Sequence, residues 1–138
     1  AIATLPPDPP HPAPREPVLL TAQWDGPDLQ EVAKTAGLTQ AQTVDLVLNA
    51  TMTVAFCGFA PGFAYMTGLD ERLHLARRER PRPQVPAGSI AIAAGYCAVY
   101  PSGSPGGWHL IGRCDALLFS VDREPPALLS PGDQVRFV

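Results

Sequence analysis

Charge is scarce in this sequence. Only 17% of its 138 residues are Asp, Glu, Lys or Arg, and the net charge is −3; an average soluble domain carries roughly 25%. Binding to nucleic acid leaves a basic electrostatic footprint, so no nucleic-acid partner is expected. No apolar run approaches the ~20 residues of a membrane span, so no membrane association is expected either. The proline-rich start has no apolar h-region, which argues against a secretory leader there. Cysteine is sparse and odd in number: Cys57, Cys97 and Cys114, spaced by 40 and 17. That spacing fits neither a disulfide framework nor a C-x-x-C metal pattern, and buried free thiols in a reducing cytoplasm are expected. His11 and His74 have no supporting ligand pattern, so no metal site is expected.

What the sequence has in quantity is turn chemistry. It holds 17 prolines and 12 glycines. Many of them punctuate three segments between Cys57 and Leu110: CGFAPGFAYMTGL, RPRPQVPAGSIAIAAG and VYPSGSPGGWHLIG. Gly reaches φ > 0 and Pro fixes φ at about −65°, so such loops hold their shape through the backbone. Three of them, set beside aromatics and short strands, predict a site or an interface assembled from loops on a β scaffold.

Residues 1–17 contain seven prolines, a composition that favours polyproline II or disorder over packing. The chain begins at Ala1 and not Met, and this stretch reads as a linker or the cut edge of something longer. The domain is then 18–138. Asp28 with Glu31 makes a D-x-x-E helix start with Asp28 as N-cap; Leu29, Val32 and Ala33 give an apolar face, and Gly37 sits where a glycine ends a helix. Thr39 with Gln42 is a second capping box, and Val44, Val47 and Leu48 carry the next helix to about Asn49. That second helix has no Lys or Arg to meet phosphate or guanine, so the pair reads as an αα-hairpin and not a DNA reader.

After Thr51 the period shifts toward β. Strands are expected at Thr51–Phe56, at Ile90 and Ile92 alternating with Ala91 and Ala93, at Cys97–Tyr100, Trp108–Gly112 and Ala116–Val121, and at Gln134–Val138. A type II turn at Ser130–Asp133 precedes the last. The fold class is mainly β with helices: a barrel or sandwich flanked by a helical hairpin.

The loops supply candidate chemistry. Phe59, Phe63 and Tyr65, presented from a turn made by Pro61 and Gly62, either wall a pocket or cap the barrel core. Arg77, Arg78, Arg80 and Arg82 form a basic run that is either a solvated loop or an anion contact. Arg82, framed by Pro81 and Pro83, is the one placed to hold a carboxylate or phosphate. Pro86, Ala87, Gly88 and Ser89 permit close backbone approach, and the N–H groups of the last three suit an oxyanion. Ser89 has no adjacent base and reads as a turn residue. Ser104, Pro105, Gly106 and Gly107 look like a phosphate cradle but lack the Lys and Ser/Thr of a P-loop. Trp108 is either core or a stacking platform. His109 points to the opposite face and has no readable carboxylate partner.

Taken in order, Gly58-Phe59-x-Pro61-Gly62-Phe63-x-Tyr65, Val85-Pro86-Ala87-Gly88-Ser89-Ile90, Tyr100-Pro101, Ser104-Pro105-Gly106-Gly107-Trp108-x-Leu110-Ile111-Gly112 and Leu129-x-Pro131-Gly132-Asp133-x-Val135-x-Phe137 form a long ordered set. Gly26-Pro27-Asp28-Leu29-x-Glu31-Val32-Ala33 extends it upstream. From about Trp24 to Val138 the chain resembles the KipI family, also called allophanate hydrolase subunit 1 or the B subunit of 5-oxoprolinase. The resemblance implies a cyclophilin-like β-barrel with another domain ahead of it in full-length members. It also implies a homologous KipA-type partner, the pair resembling the carboxyltransferase part of urea carboxylase.

The implied function is a subunit of an ATP-dependent amide or lactam hydrolase that opens 5-oxoproline or, by older naming, hydrolyses allophanate. Such a subunit is expected to be inactive without its partner and to be cytoplasmic. The alternative implied by one branch is a regulatory module that inhibits a sensor histidine kinase. ATP is implied for the assembled complex, with no cofactor evident in this chain, and the substrate is a small amide. No catalytic residue is assigned. The candidates for substrate or partner contact are Phe59, Pro61, Gly62, Phe63, Tyr65, Arg82, Pro86, Gly88, Ser89, Tyr100, Ser104, Gly106, Gly107 and Trp108, expected on one rim of the barrel. The chain departs from the family pattern at Arg80, where Thr is expected before Pro81-Arg82, and at Tyr96-Cys97, where a Gln-Thr pair is expected.

Overall fold

The computed structural model describes residues 16–138, so the expected linker lies almost wholly outside the described residues. Two helices, α1 (Leu29–Ala36) and α2 (Gln40–Asn49), form the expected hairpin. α1 buries Leu29, Val32 and Ala33 and ends at Gly37, whose φ of 73° only glycine adopts cheaply. Thr39 and Gln42 close both halves of the capping box that begins α2. The other cap differs from expectation. Asp28 occupies the N-cap of α1, yet its side chain makes no capping hydrogen bond, because its carboxylate is engaged elsewhere.

Eight strands form one sheet: β1 (Val18–Leu20), β2 (Ala22–Gln23), β3 (Met52–Cys57), β4 (Ala64–Thr67), β6 (Ser89–Ala93), β7 (Tyr96–Val99), β9 (His109–Cys114) and β10 (Gln134–Phe137). Their order is β1-β10-β3-β4-β7-β6-β9-β2. The two ends of that order, β1 and β2, are consecutive in the chain, separated by Thr21 alone. One bent segment therefore pairs in parallel with β10 and antiparallel with β9. The Ala22 amide donates to the Val138 carbonyl and the Val138 amide to that of Leu20, both at 2.9 Å. The sheet thus rolls into a nearly closed barrel, which leaves little unpaired edge. Two further strands, β5 (Arg82–Val85) and β8 (Ser104–Gly106), make a separate antiparallel ribbon.

β1, β2, β4, β5 and β8 escape the sequence pattern because they are short, and the ribbon strands carry Pro83 and Pro105, which ordinarily argue against strand. The strand expected at Ala116–Val121 does not form. The segment makes one isolated bridge, Phe119 to Ala127, because β9 stops at Cys114 with both of its edges already taken by β6 and β2.

The alternation read in β6 divides the interior in two. Ile90, Ile92, Cys97 and Val99 point into the main core with Val32, Val47, Met66 and Phe137. Ala91, Ala93 and Ala98 point the other way, into a second cluster with Phe63, Val85, Tyr100, Trp108 and Leu110. Small residues on that face leave room for large rings, and Val85 brings the ribbon over them.

Asp28 pins the ribbon in place. Its Oδ2 accepts from Arg82 Nη1 at 2.6 Å and from the Leu110 amide at 2.7 Å, while Oδ1 accepts from Arg82 Nη2 at 2.8 Å. Arg78 Nε lies 3.9 Å from Oδ1. The Asp28 amide in turn donates to the Leu110 carbonyl at 2.9 Å. Close approach of the chain to β9 requires Gly26, since a Cβ there would meet the backbone of Leu110, Ile111 and Gly112. Burial by itself raises the Asp28 pKa, but the hydrogen bonds from Arg82 and Leu110, with the Arg82 and Arg78 charges, outweigh it and hold the carboxyl below its usual 3.8.

Asp28→Asn keeps an acceptor for Leu110 but leaves Arg82 without its counter-ion, so a loss of about 2–3 kcal/mol is expected, read as a fall in melting temperature of roughly 10 °C. Because the folded pKa is depressed, the Asp28 contribution is complete above the ordinary Asp value and is lost as pH falls through the lower folded one. Asp70, held at about 2 by Arg72, adds acid sensitivity to both proteins, so the difference between them reports Asp28. Melting curves from pH 2 to pH 7 should converge at the acid end; a constant gap would contradict the assignment. On the second face, Ala91→Leu should cost about 1–3 kcal/mol by overpacking the ring cluster, and an unchanged midpoint of denaturant unfolding would show that the alanine face has slack.

Candidate functional site

The first proline-glycine segment makes a tight loop between β3 and β4. The Ala60 amide donates back to the Gly58 carbonyl at 2.8 Å, Phe63 to Ala60 at 3.0 Å and Gly58 to Phe63 at 3.2 Å. The first of these bonds closes a γ-turn centred on Phe59, whose φ is 70°. A γ-turn of positive central φ is the rarer and more strained form, and for a bulky residue that backbone is an outlier. Phe59 is nevertheless 64% exposed. Pro61 is exposed beside it, and Gly62, at φ 85°, packs against Leu118 and Phe119. Strain of this kind, about 1–3 kcal/mol, is characteristic of functional loops.

Beneath Phe59 the rings form a continuous network. Phe63 meets Phe59 at 5.1 Å, Tyr65 at 5.0 Å, Tyr100 at 5.3 Å and Trp108 at 5.8 Å between centroids. Tyr65 stacks on Phe56 at 4.4 Å and meets Tyr96 edge-on at 5.7 Å. Phe63, Tyr100 and Trp108 are buried. They belong to the second core cluster and also form the floor of a small pocket, so the two readings of the rings hold together. This pocket, of about 110 Å³, is lined by Phe59, Phe63, Tyr65, Arg77, Tyr100, Pro105, Gly106, Gly107 and Trp108. The β8 strand makes one wall, and Gly106 has no room for a side chain because the Tyr100 hydroxyl abuts it. Burial, then the neighbouring Tyr65, pushes the Tyr100 phenol up from its ordinary value, while Arg77 acts the other way. Tyr100 thus enters this pocket as a neutral donor and acceptor.

Three further sequence candidates lie at a second place. Arg82, Pro86 and Ser89 line a cleft of about 590 Å³ with Asp25, Gln84, Arg113, Asp115 and others. The Arg82 guanidinium there is already bonded to Asp28. The Ser89 hydroxyl donates to the Pro86 carbonyl at 2.7 Å. The amides of Gly88 and Ser89 donate to Tyr100 and Pro86 carbonyls at 2.7 and 3.2 Å. Arg113 pairs with Asp25 at 3.0 Å. Ser104 sits in the ribbon, its hydroxyl buried with no hydrogen-bond partner among the described residues. The Ser104–Gly106 segment is a strand paired with β5, and a paired strand offers no phosphate cradle.

His109 Nε2 is 2.8 Å from the Ala76 carbonyl and His74 Nε2 is 2.9 Å from that of Leu69. Among the described residues no group of His, Cys, Asp and Glu is arranged to hold a metal ion, and no helix is long and apolar enough to cross a membrane. Cys97 and Cys114 are buried free thiols, with Cys97 pushed up to about 12 by burial; Cys57 is free but exposed, unlike the expectation for all three. Sequence reasoning missed Asp28 as the partner of Arg82, because a cap explained it locally and Arg82 lies 54 residues away. It also left Arg77 inside an undifferentiated basic run.

Comparison with known proteins places these observations in a family. The chain is 50% identical over 113 residues to the B subunit of 5-oxoprolinase from Escherichia coli O157:H7, covering 82% of this chain and 52% of that protein. It is 45% identical over 113 residues to the B subunit of 5-oxoprolinase from Bacillus subtilis strain 168, covering 82% and 47%. The chain therefore spans about half the length of the curated relatives it matches. Among solved structures, the conserved uncharacterized protein PH0987 of Pyrococcus horikoshii superposes with a TM-score of 0.83 at 40% identity, covering 88% of this chain and 57% of that one. The barrel and helical hairpin are thus shared by relatives, and the motif resemblance read from the sequence agrees with them. Residues 4–129 match the sequence model of one family, and the chain belongs to it: carboxyltransferase domain, subdomain C and D.

Proposed function

We propose that this chain supplies one wall of the substrate site in an ATP-dependent amide hydrolase of the 5-oxoprolinase kind, completed by a homologous KipA-type subunit. The observation that carries the reading is the aromatic pocket under Phe59, which combines a strained, exposed ring with a buried aromatic floor. Identity of 45–50% to proteins named as the B subunit of 5-oxoprolinase supports the reaction class, and a protein named as one subunit works with companions. The polar groups of this chain favour a binding role: Ser89, His74 and His109 are each held by a backbone carbonyl. The ribbon segment does not suit ATP, so the proposal assigns ATP and bond cleavage to the companion. This chain's part is to bind the amide, orient it and exclude water with the rings. A location in the cytoplasm, where ATP is available, belongs to the same proposal.

The test is ADP release by the protein assembled with its companion, in the presence of ATP and 5-oxoproline. Release well above the rate of the companion alone is expected. An unstimulated rate in a correctly paired complex would overturn the reading.

A further inference from the structure

The aromatic pocket has one cation at its rim. Arg77 lines it and is exposed, and its charge reaches the Tyr100 phenol. Its neighbours Arg78 and Arg82 face Asp28, and Arg72 and Arg113 pair with Asp70 and Asp25. Arg77 forms no such pair with any described carboxylate. A guanidinium beside ring faces is the usual device for holding a planar anion in two hydrogen bonds. The volume of about 110 Å³ is that of roughly four waters at ~30 Å³ each. A single small ring fits that space.

We propose that this pocket binds a compact ring bearing a carboxylate, with Arg77 holding the carboxylate, Phe63, Tyr65 and Trp108 flanking the ring, and Phe59 closing over it. The ring's identity rests on the hydrolase reading above; the site itself rests on the cavity, a guanidinium with no carboxylate partner among the described residues, and the strained cover. The Phe59 backbone fits this role. The γ-turn presents the ring at the pocket wall, where it rests on Phe63 at 5.1 Å yet stays 64% exposed.

The experiment is calorimetric titration of the assembled protein, without ATP, using 5-oxoproline, 2-pyrrolidinone (the same lactam ring without the carboxylate) and inorganic phosphate as probes. 5-Oxoproline should bind more tightly than either control. Arg77→Gln should weaken it about 10- to 100-fold without moving the melting temperature, Arg77→Lys should recover part of the loss, and 2-pyrrolidinone should be insensitive to both. Phe59→Gly should weaken binding while the melting temperature holds or rises, because glycine relieves the positive φ. Equal affinity of Arg77→Gln and the parent for 5-oxoproline, or tighter binding of phosphate, would overturn the site. So would failure of 5-oxoproline to bind, or a fall of several degrees in the Phe59→Gly melting temperature. Binding that follows these expectations while ADP release fails would overturn the hydrolase and leave the site standing. ADP release that ignores Arg77 would do the reverse.

Discussion

Asp28 gathers three parts of the chain that are far apart in sequence: the start of α1, the β9 backbone at Leu110 and the β5–β8 ribbon through Arg82. Its two oxygens accept three hydrogen bonds of 2.6–2.8 Å, and this spends the side chain that would otherwise cap the helix. The position so fixed matters beyond the pair. Arg82 stands opposite Gly106 in the ribbon register, and Gly106 is the residue against which the Tyr100 hydroxyl rests. A shift of the ribbon would therefore move the wall of the aromatic pocket on one side and the lining of the larger cleft on the other. A half-buried ion pair is weak as a source of stability. Its value here lies in register.

The second constraint is the division of labour across one sheet. β6 and β7 present Ile90, Ile92, Cys97 and Val99 to the main core and Ala91, Ala93 and Ala98 to the other side, flanked by Tyr96 and Tyr100. Methyl groups on that face leave room for Phe63 and Trp108, which pack in the same cluster and also line the pocket. The same rings then serve both packing and recognition. Closure of the barrel by the bent 18–23 segment completes this frame, since it occupies the free edges of β9 and β10 and leaves the ribbon as the element laid over the outside.

Much of this was legible in the sequence. The helical hairpin announced itself through Thr39 with Gln42 and through Gly37. The alternation of Ile90, Ala91, Ile92 and Ala93 announced a two-faced strand. The proline-glycine motifs identified the family and drew the eye to Phe59, Phe63, Tyr65, Tyr100 and Trp108, which the fold does bring together. What was not legible is long-range pairing. Asp28 satisfies a local rule so well that its distant partner is hidden, and Arg82, expected from its rigid proline frame to hold a substrate or partner anion, is bonded to a carboxylate of its own chain. Arg77 is indistinguishable from its neighbours in sequence; the fold turns Arg78 and Arg82 to Asp28 and puts Arg77 at the aromatic pocket. Strands of two to four residues carry too little periodicity to be read, the more so where Pro83 or Pro105 lies in them, and Ala116–Val121 shows the converse: a strand-like pattern that makes one isolated bridge.

The most direct measurement of this arrangement is the pH dependence of the Leu110 amide proton by NMR. The amide donates to the Asp28 carboxylate, so its chemical shift should move with the Asp28 titration. The account predicts a midpoint below 3.8, the usual Asp value, as Arg82 holds the charge. A midpoint at or above that value, or an amide that does not titrate at all, would contradict it.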